Sequence, residues 1–460
     1  MTRPSVAAEI PFLVLGLAGL FAGFAALRLA EMPDRWVAAA VAGMLVLLGV
    51  LLAGRPRRAA LFVFAFSLQT GLALYLTEPP PASSVGASWP NALALPLASL
   101  TGLVALVTAR ARPWRWGGSL GLCAGLLLLT TAFSLWSSPV RLIGVSHLAL
   151  LASYYGIFLA AANAIRDDKD LQLVQRVLLL SLGAQSVIYL AQVAAGGTFT
   201  LTGEWIEQAG EVLPRYGGTV GTRPAAFSSF LVPLLLLAFS QSLSARTWWP
   251  SGLLAAAGCA ALALSYTRAA WIGFALGLLY LLAARARRGM LGRGKFCLLL
   301  GIPLAVSLAL SPRLLTRAGQ DHWAALEERW TLVQMALRVI QENPLTGVGA
   351  GAYPYVFRDY LNPELSDRWL FVVHNVYVLR AAETGLLGLA ALLLFLGVAF
   401  RKACPERMAN PAASAMALGW RAGQVALAWE MLWDVSLGPA ANALFWFLCG
   451  ALPAARKGAR

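Results

Sequence analysis

The side chains of this 460-residue chain best suited to chemistry are three histidines and a few arginines. His374, in the run His374-Asn375-Val376-Tyr377, falls where a long polar stretch meets an apolar one. An imidazole there, with an unperturbed pKa of ~6.5, suits a general base, and an ordinary interfacial hydrogen bond is the competing reading. His147, inside an apolar run, and His322, in the first turn of an expected helix, are read as ordinary hydrogen-bonding residues. Arg223 and Arg268 border apolar segments, where a guanidinium is costly unless it is paired, snorkels to the interface or faces a wet cavity. The group stays protonated and presents a fork of donors suited to phosphate oxygens, so the two together can hold an anionic diphosphate. Snorkelling to lipid phosphate explains them equally well. Arg380 and Glu383, three apart on an expected helix, are expected to pair with each other. Gly347-Val348-Gly349-Ala350-Gly351 permits tight turns but matches no Walker or dinucleotide fingerprint, since no strand precedes it and no lysine-bearing helix follows. Cys123, Cys259, Cys297, Cys404 and Cys449 lack metal-like spacing, so neither a disulfide nor a zinc site is expected.

The elements that must position these groups are set by composition. At 59% hydrophobic and 12% charged, the chain carries about half the charge of an ordinary soluble domain, which excludes a cytosolic globular enzyme and a disordered chain. A helix needs ~20 apolar residues to cross ~30 Å of hydrocarbon. Single spans are expected at 9–29, 35–53, 60–77, 91–109, 171–195, 226–243, 295–311 and 373–400. Three runs are too long for one crossing. The run 117–164 divides at Ser137-Ser138-Pro139, 247–284 is a hairpin around Tyr266-Thr267-Arg268, and 412–453 divides at Asp434 to Pro439. The total is fourteen transmembrane helices in an all-α polytopic protein, with twelve as the alternative. The first apolar segment is read as a span and not as a cleaved leader.

A cytoplasmic N-terminus places most of the 36 Lys and Arg on the inner side, including Arg55, Arg57 and Arg58, Arg110, Arg112 and Arg115, and Arg285 to Lys295. That asymmetry is the positive-inside pattern, and an even span count puts both termini inside. The net charge of +15 therefore reports orientation and not a nucleic-acid partner. Two outer loops are long. The first, 196–225, carries Trp205, Ile206, Val212 and Leu213 among glutamates. In the second, 312–372, Trp323, Leu326, Trp330, Val333, Leu337 and Ile340 recur as on one helix face, with Asp321 as N-cap and Asn343-Pro344 as the stop. Such a helix suits the membrane surface, Trp side down. Four regions follow: N-terminal helices 1–195, helices with the two arginine motifs 196–311, the outer loop 312–372 and C-terminal helices 373–460.

Several of these residues also form motifs. Glu328-Arg329-Trp330 through Asn343-Pro344-Leu345-Thr346-Gly347-Val348-Gly349, then His374-Asn375 and Glu383-Thr384-Gly385-Leu386-Leu387-Gly388, resemble the signature region of the bacterial O-antigen ligase/O-antigen polymerase family. Ser265-Tyr266-Thr267-Arg268 resembles that family's Ser-x-[Ser/Thr]-Arg element, and Gly221-Thr222-Arg223-Pro224 its earlier arginine motif. The resemblance implies a membrane glycosyltransferase of all-helical GT-C type in the bacterial inner membrane, with its site facing the periplasm. It would invert the anomeric centre without a nucleotide sugar, metal or cofactor. Carried over residue by residue, Arg223 and Arg268 would bind the diphosphate and His374 would act at the acceptor hydroxyl. Arg215 stands close enough to be the true counterpart of the first arginine, and Asn375, Tyr377 and Arg329 are further candidates. Arg380 departs from the pattern, which has a neutral residue there, and the family often has about twelve spans.

The implied partners are an undecaprenyl diphosphate-linked glycan as donor, lipid A–core as acceptor and the surrounding lipids. A polymerase would instead use a second lipid-linked glycan as acceptor. A lipid-linked glycan flippase is the alternative from another class, but it would need charges across the membrane, whereas those here gather on one side.

Overall fold

The computed structural model describes residues 56–75, 93–109, 113–199, 205–207, 215–220, 224–244, 249–289, 293–318, 323–360, 372–408, 410–435 and 437–454. The expected spans 9–29 and 35–53 lie outside these residues, as do Arg223, Asp321 and His322. In chain order the helices are α1 Pro56–Ser67, α2 Leu97–Ala109, α3 Ser119–Ser134, α4 Arg141–Ala164, α5 Asp168–Ala195, α6 Pro224–Ser244, α7 Trp249–Leu264, α8 Arg268–Ala286, α9 Arg293–Ala309, α10 Ser311–Ala318, α11 Trp323–Glu342, α12 Tyr353–Val356, α13 Val376–Lys402, α14 Pro411–Glu430 and α15 Pro439–Ala454. Two short antiparallel hairpins interrupt them, β1 Ala73–Tyr75 with β2 Ala94–Pro96 and β3 Gly197–Phe199 with β4 Trp205–Glu207.

Six of the described helices are long and apolar enough to cross a membrane by length and composition: α3 with its 3-10 extension to Ser137, then α4, α5, α6, α8 and α13. Shorter apolar stretches lie in α2, α7, α9 and α15. The chain is an all-α membrane protein, and among the described residues six helices meet both criteria. α1 stops early because Gln69 and Thr70 lead into Gly71, whose φ of 60° turns the chain toward β1. Leu122, Leu129, Leu142, Val187, Leu279 and Leu308 point outward, as side chains facing lipid do.

The three long apolar runs divide as their polar breaks require. Pro139 precedes α4, Ser265-Tyr266-Thr267 separates α7 from α8, and residues 431–438 separate α14 from α15. Asp167 caps α5 in a capping box with Asp170, and Asn410 caps α14 by accepting from the Ala413 N–H at 2.8 Å. Asp170 is fully buried and receives a fork from Arg57 at 2.5 and 3.0 Å, which ties α1 to α5.

α6 occupies the middle, with almost its whole surface covered by α14, α7, α8, α5 and α15. Small residues bring the helices close. A Cβ on Gly277 would meet the Ala422 carbonyl oxygen at 2.8 Å, so α8 and α14 pack nearly backbone to backbone.

A second apolar core lies outside this bundle. Leu332, Met335, Ala336 and Val339 of α11 close on Tyr353, Phe357, Val372, Val373 and Ala382. The helix stops where expected, and Trp330 and Leu337, of the face expected to meet the membrane surface, are exposed. α11 packs on α13, and another face of it, Leu332, Met335, Ala336 and Val339, enters the second core.

The turn after α11 explains the glycine run. Gly347, Gly349 and Gly351 all have positive φ, and a Cβ on Gly349 would sit 2.3 Å from Ser138 Cβ. Beside them α13 is broken at Gly385 (φ 68°, ψ 179°), in a region open essentially to glycine alone. The break frees carbonyls of α13, and the turn takes them: Val348 N–H donates to Ala382 O and Gly349 N–H to Glu383 O, both at 2.9 Å. In return Leu386 N–H donates to Pro344 O at 2.8 Å. The turn is thus hydrogen-bonded into a broken membrane helix.

Candidate active site

Arg268 is the first residue of α8, placed there by the Ser265-Tyr266-Thr267 break. The Ser265 hydroxyl donates to Leu262 O at 2.7 Å and accepts from Ser228 of α6 at 3.0 Å, and Trp271 Nε1 donates to the same Leu262 carbonyl at 2.9 Å. Tyr266 is the only non-glycine residue with positive φ among the described residues, at 51°, and it is buried. Its neighbours hold this sparsely populated conformation, a cost of order 1–3 kcal/mol that recurs at functional sites. The Arg313 guanidinium of α10 donates to the Tyr266 hydroxyl, so α10 is drawn over the break. Burial pushes the Tyr266 phenol up, and Arg313 opposes that shift.

Arg268 lies within electrostatic reach of Arg329 and Arg215. Arg329 comes from α11, with its guanidinium carbon 5.9 Å from the centre of the Trp433 ring. Arg215 enters on a loop fastened to α5: Gln192 accepts from the Gly218 N–H at 2.9 Å and donates to its carbonyl at 3.0 Å, and Gln185 bonds Thr219 through both its amide groups. Beneath this loop Tyr189 stacks on Phe227 at 4.3 Å, meets Tyr216 edge-on and donates to Leu264 O at 2.9 Å. Arg215 also lies within electrostatic reach of Tyr189. Three arginines from distant parts of the chain, with Arg313 joined through Tyr266, therefore converge at the N-terminus of α8. Like charges gathered around a helix N-terminus make an anion-binding site.

His374 precedes α13 and is half-buried, with Nδ1 shielded from solvent. The two candidates beside it have structural roles. Asn375 caps α13, its Oδ1 accepting from the Tyr377 and Val378 N–H groups at 3.0 Å, and the Tyr377 hydroxyl donates to Ala428 O at 3.0 Å. Val376 N–H donates to Met431 O at 2.8 Å. His374 is thus fastened to the turn after α14, the turn whose Trp433 lies against Arg329. Glu430, in the same region, is buried and accepts from Ser229 of α6 at 2.5 Å.

Arg380 and Glu383 attract each other, though each makes its hydrogen bonds elsewhere. Arg380 donates to Thr131 of α3, while the Glu383 carboxylate accepts from the backbone N–H groups of Gly351 and Tyr353. The break at Gly385 presses the turn against Glu383, and backbone donors reach the carboxylate first. His147 lies against Gly351, whose added Cβ would come within 2.6 Å of its Nε2. Burial pushes the nearby Tyr353 phenol up, and the Glu383 charge adds to the shift.

Residues 252–393, from α7 into α13, match the family model described as O-antigen ligase. Over that stretch, under a third of the chain, the sequence is similar to the O-antigen ligase family. No curated protein matches the chain. The stretch contains Arg268, Arg313, Arg329 and His374, whereas Arg215 and Arg223 precede it. Sequence reasoning missed Arg313, Trp433 and the strained Tyr266. Arg313 had one visible signal, the basic amphipathic octet Ser311–Ala318 that opens the outer loop. Trp433 and the φ of Tyr266 had none.

Proposed function

We propose that the chain is a glycosyltransferase that moves a preassembled glycan from undecaprenyl diphosphate to an acceptor hydroxyl at the periplasmic face of the bacterial inner membrane. Lipid A–core is the acceptor in this reading. The observation that carries it is the convergence of Arg215, Arg268 and Arg329 at the start of α8, on the side of the bundle to which His374 is fastened.

The chemistry follows from charge. The acceptor oxygen attacks the anomeric carbon opposite the diphosphate, and the configuration inverts. As the C–O bond to phosphate breaks, its electron pair goes to the diphosphate, and the guanidinium groups bind that growing charge more tightly than they bind the intact donor. His374 takes the proton of the acceptor hydroxyl, a contribution of ~10²–10⁴-fold by typical magnitudes. The sugar–diphosphate bond supplies the driving force. Arg223 remains an alternative to Arg215 as the first arginine of the site.

Purified protein incubated with a lipid-linked glycan and separate acceptors tests the proposal. Single-step transfer to lipid A–core is the expected result. Ladder growth on the carrier would assign a polymerase, and movement of lipid-linked glycan without new bonds a flippase. Arg268→Ala should abolish transfer with the fold intact, and Arg268→Lys should restore little, because the ammonium lacks the fork. Normal transfer by Arg268→Ala would leave lipid snorkelling as its role.

A further inference from the structure

On the outer side of the second core lies an open cleft of about 390 Å³ that the arginine site does not use. It is bounded by the end of α11, the glycine turn, the segment after α12 and the corner between α3 and α4. Ser137, Glu342, Asn343, Asp359 and Tyr360 supply its polar groups, and Val356 an apolar wall. Glu342 stands 13 residues after Arg329 on one helix, which separates the cleft from the arginines by ~20 Å along the axis.

The cleft is fixed in shape. The Tyr360 hydroxyl donates to Glu342 Oε2 at 3.0 Å, which orients the carboxylate and leaves Oε1 for a ligand. Arg338 donates to the Tyr360 carbonyl at 3.4 Å and holds that segment from behind. The Ser137 hydroxyl donates to Gly347 O at 2.7 Å and keeps its own oxygen as an acceptor. Two carboxylates, an amide and a phenol ring, with no cation among the described lining residues, suit a ligand rich in hydroxyl donors and without negative charge. Carboxylate oxygens bind such hydroxyls in charge-assisted bonds, and an anionic sugar would be repelled. Among the described residues no cluster of three His, Cys, Asp or Glu side chains is placed to hold a metal ion, so the carboxylates are not read as a cation site.

We infer that this cleft is a separate saccharide subsite, which holds an uncharged sugar unit while the diphosphate occupies the arginine site. The inference rests on the transferase reading above and adds a second point of attachment for the glycan. The same chemistry serves a sugar of the donor glycan or a neutral sugar of the acceptor.

The test uses the full chain in lipid nanodiscs and saturation-transfer NMR. The probes are lipid-free neutral tetrasaccharides of hexose and N-acetylhexosamine, with tetrasaccharides of uronic acid as the charged counterpart. Neutral probes should bind, and uronates at least ten-fold more weakly. Glu342→Gln with Asp359→Asn should weaken neutral binding at least ten-fold and narrow the gap to the uronates. Both side chains are exposed, and an unchanged response to inorganic pyrophosphate in the double variant verifies its fold. Competition then assigns the source: a neutral tetrasaccharide that raises the KM for the lipid-linked donor marks the donor glycan, and one that raises the KM for the acceptor marks the acceptor. Neutral probes that fail to bind, or that bind the double variant unchanged, would overturn the inference while transfer by the wild type stands. Loss of transfer in the wild type with saccharide binding intact would instead overturn the transferase reading and leave the subsite.

Discussion

Replacing Arg329 with alanine separates an anion-binding arginine from a structural one, because its structural effects nearly cancel. The contact with Trp433, at 5.9 Å and partly exposed, is worth ~0.5–1 kcal/mol. Against that loss, removing one guanidinium relieves repulsion of Arg268. At a separation of about 10 Å and an effective dielectric of about 20 the pair repels by about 1.7 kcal/mol, and one Debye length of screening at 0.1 M salt reduces this to about 0.6. Unliganded stability should therefore change by no more than about 0.5 kcal/mol. Ligand response should not be so spared. Inorganic pyrophosphate at a hundred times its Kd stabilises the wild type by about 2.7 kcal/mol. Loss of one charge-assisted contact worth about 1.4 kcal/mol weakens binding ten-fold and cuts that stabilisation to about 1.4 kcal/mol at the same concentration. Equilibrium unfolding in detergent, with and without pyrophosphate, reads both quantities. Equal stabilisation of wild type and variant would refute the anion site, and a loss above about 2 kcal/mol without ligand would make Arg329 structural.

Three further outcomes are expected. Gly385→Ala forces a side chain into a glycine-only conformation and drives its Cβ to 2.0 Å from Leu345 O, so the 344–351 turn should detach, transfer should fall to background, and proteolysis near the turn should accelerate. Asp170→Asn removes a fully buried carboxylate while Arg57 stays partly exposed and keeps Asp167 at 3.6 Å, so chemical unfolding should show a loss of ~1–3 kcal/mol. His374→Ala should slow transfer ~10²–10⁴-fold while pyrophosphate still stabilises the protein; loss of that stabilisation would move His374 into the anion site.

Legibility in the sequence followed the range of the interactions involved. The break before Arg268 was visible because a lone cation and three polar residues interrupt an apolar run too long for one crossing. The stop of α11 was visible in Asn343-Pro344 and its exposed face in the spacing of Trp330 and Leu337, but not its inward face of Leu332, Met335, Ala336 and Val339, which packs on parts of the chain distant in sequence. The attraction of Arg380 and Glu383 was legible in their i,i+3 spacing, but the backbone donors on Glu383 were not, because they come from the turn that the break at Gly385 admits. The meeting of Arg215 with Arg268 depends on Gln185 and Gln192 clasping a loop, a tertiary event with no local signature.

The enclosure of α6 bears on how the chain is made. Helices synthesised before it, such as α5, and long after it, α14 and α15, all press on its surface. When α6 leaves the ribosome, α14 and α15 do not yet exist. Its Leu- and Phe-rich sequence lets it wait in lipid at little cost until they arrive. Final consolidation of the central bundle is therefore post-translational, and a nascent chain stalled before residue 411 holds its middle helix in the bilayer without the partners that lock it.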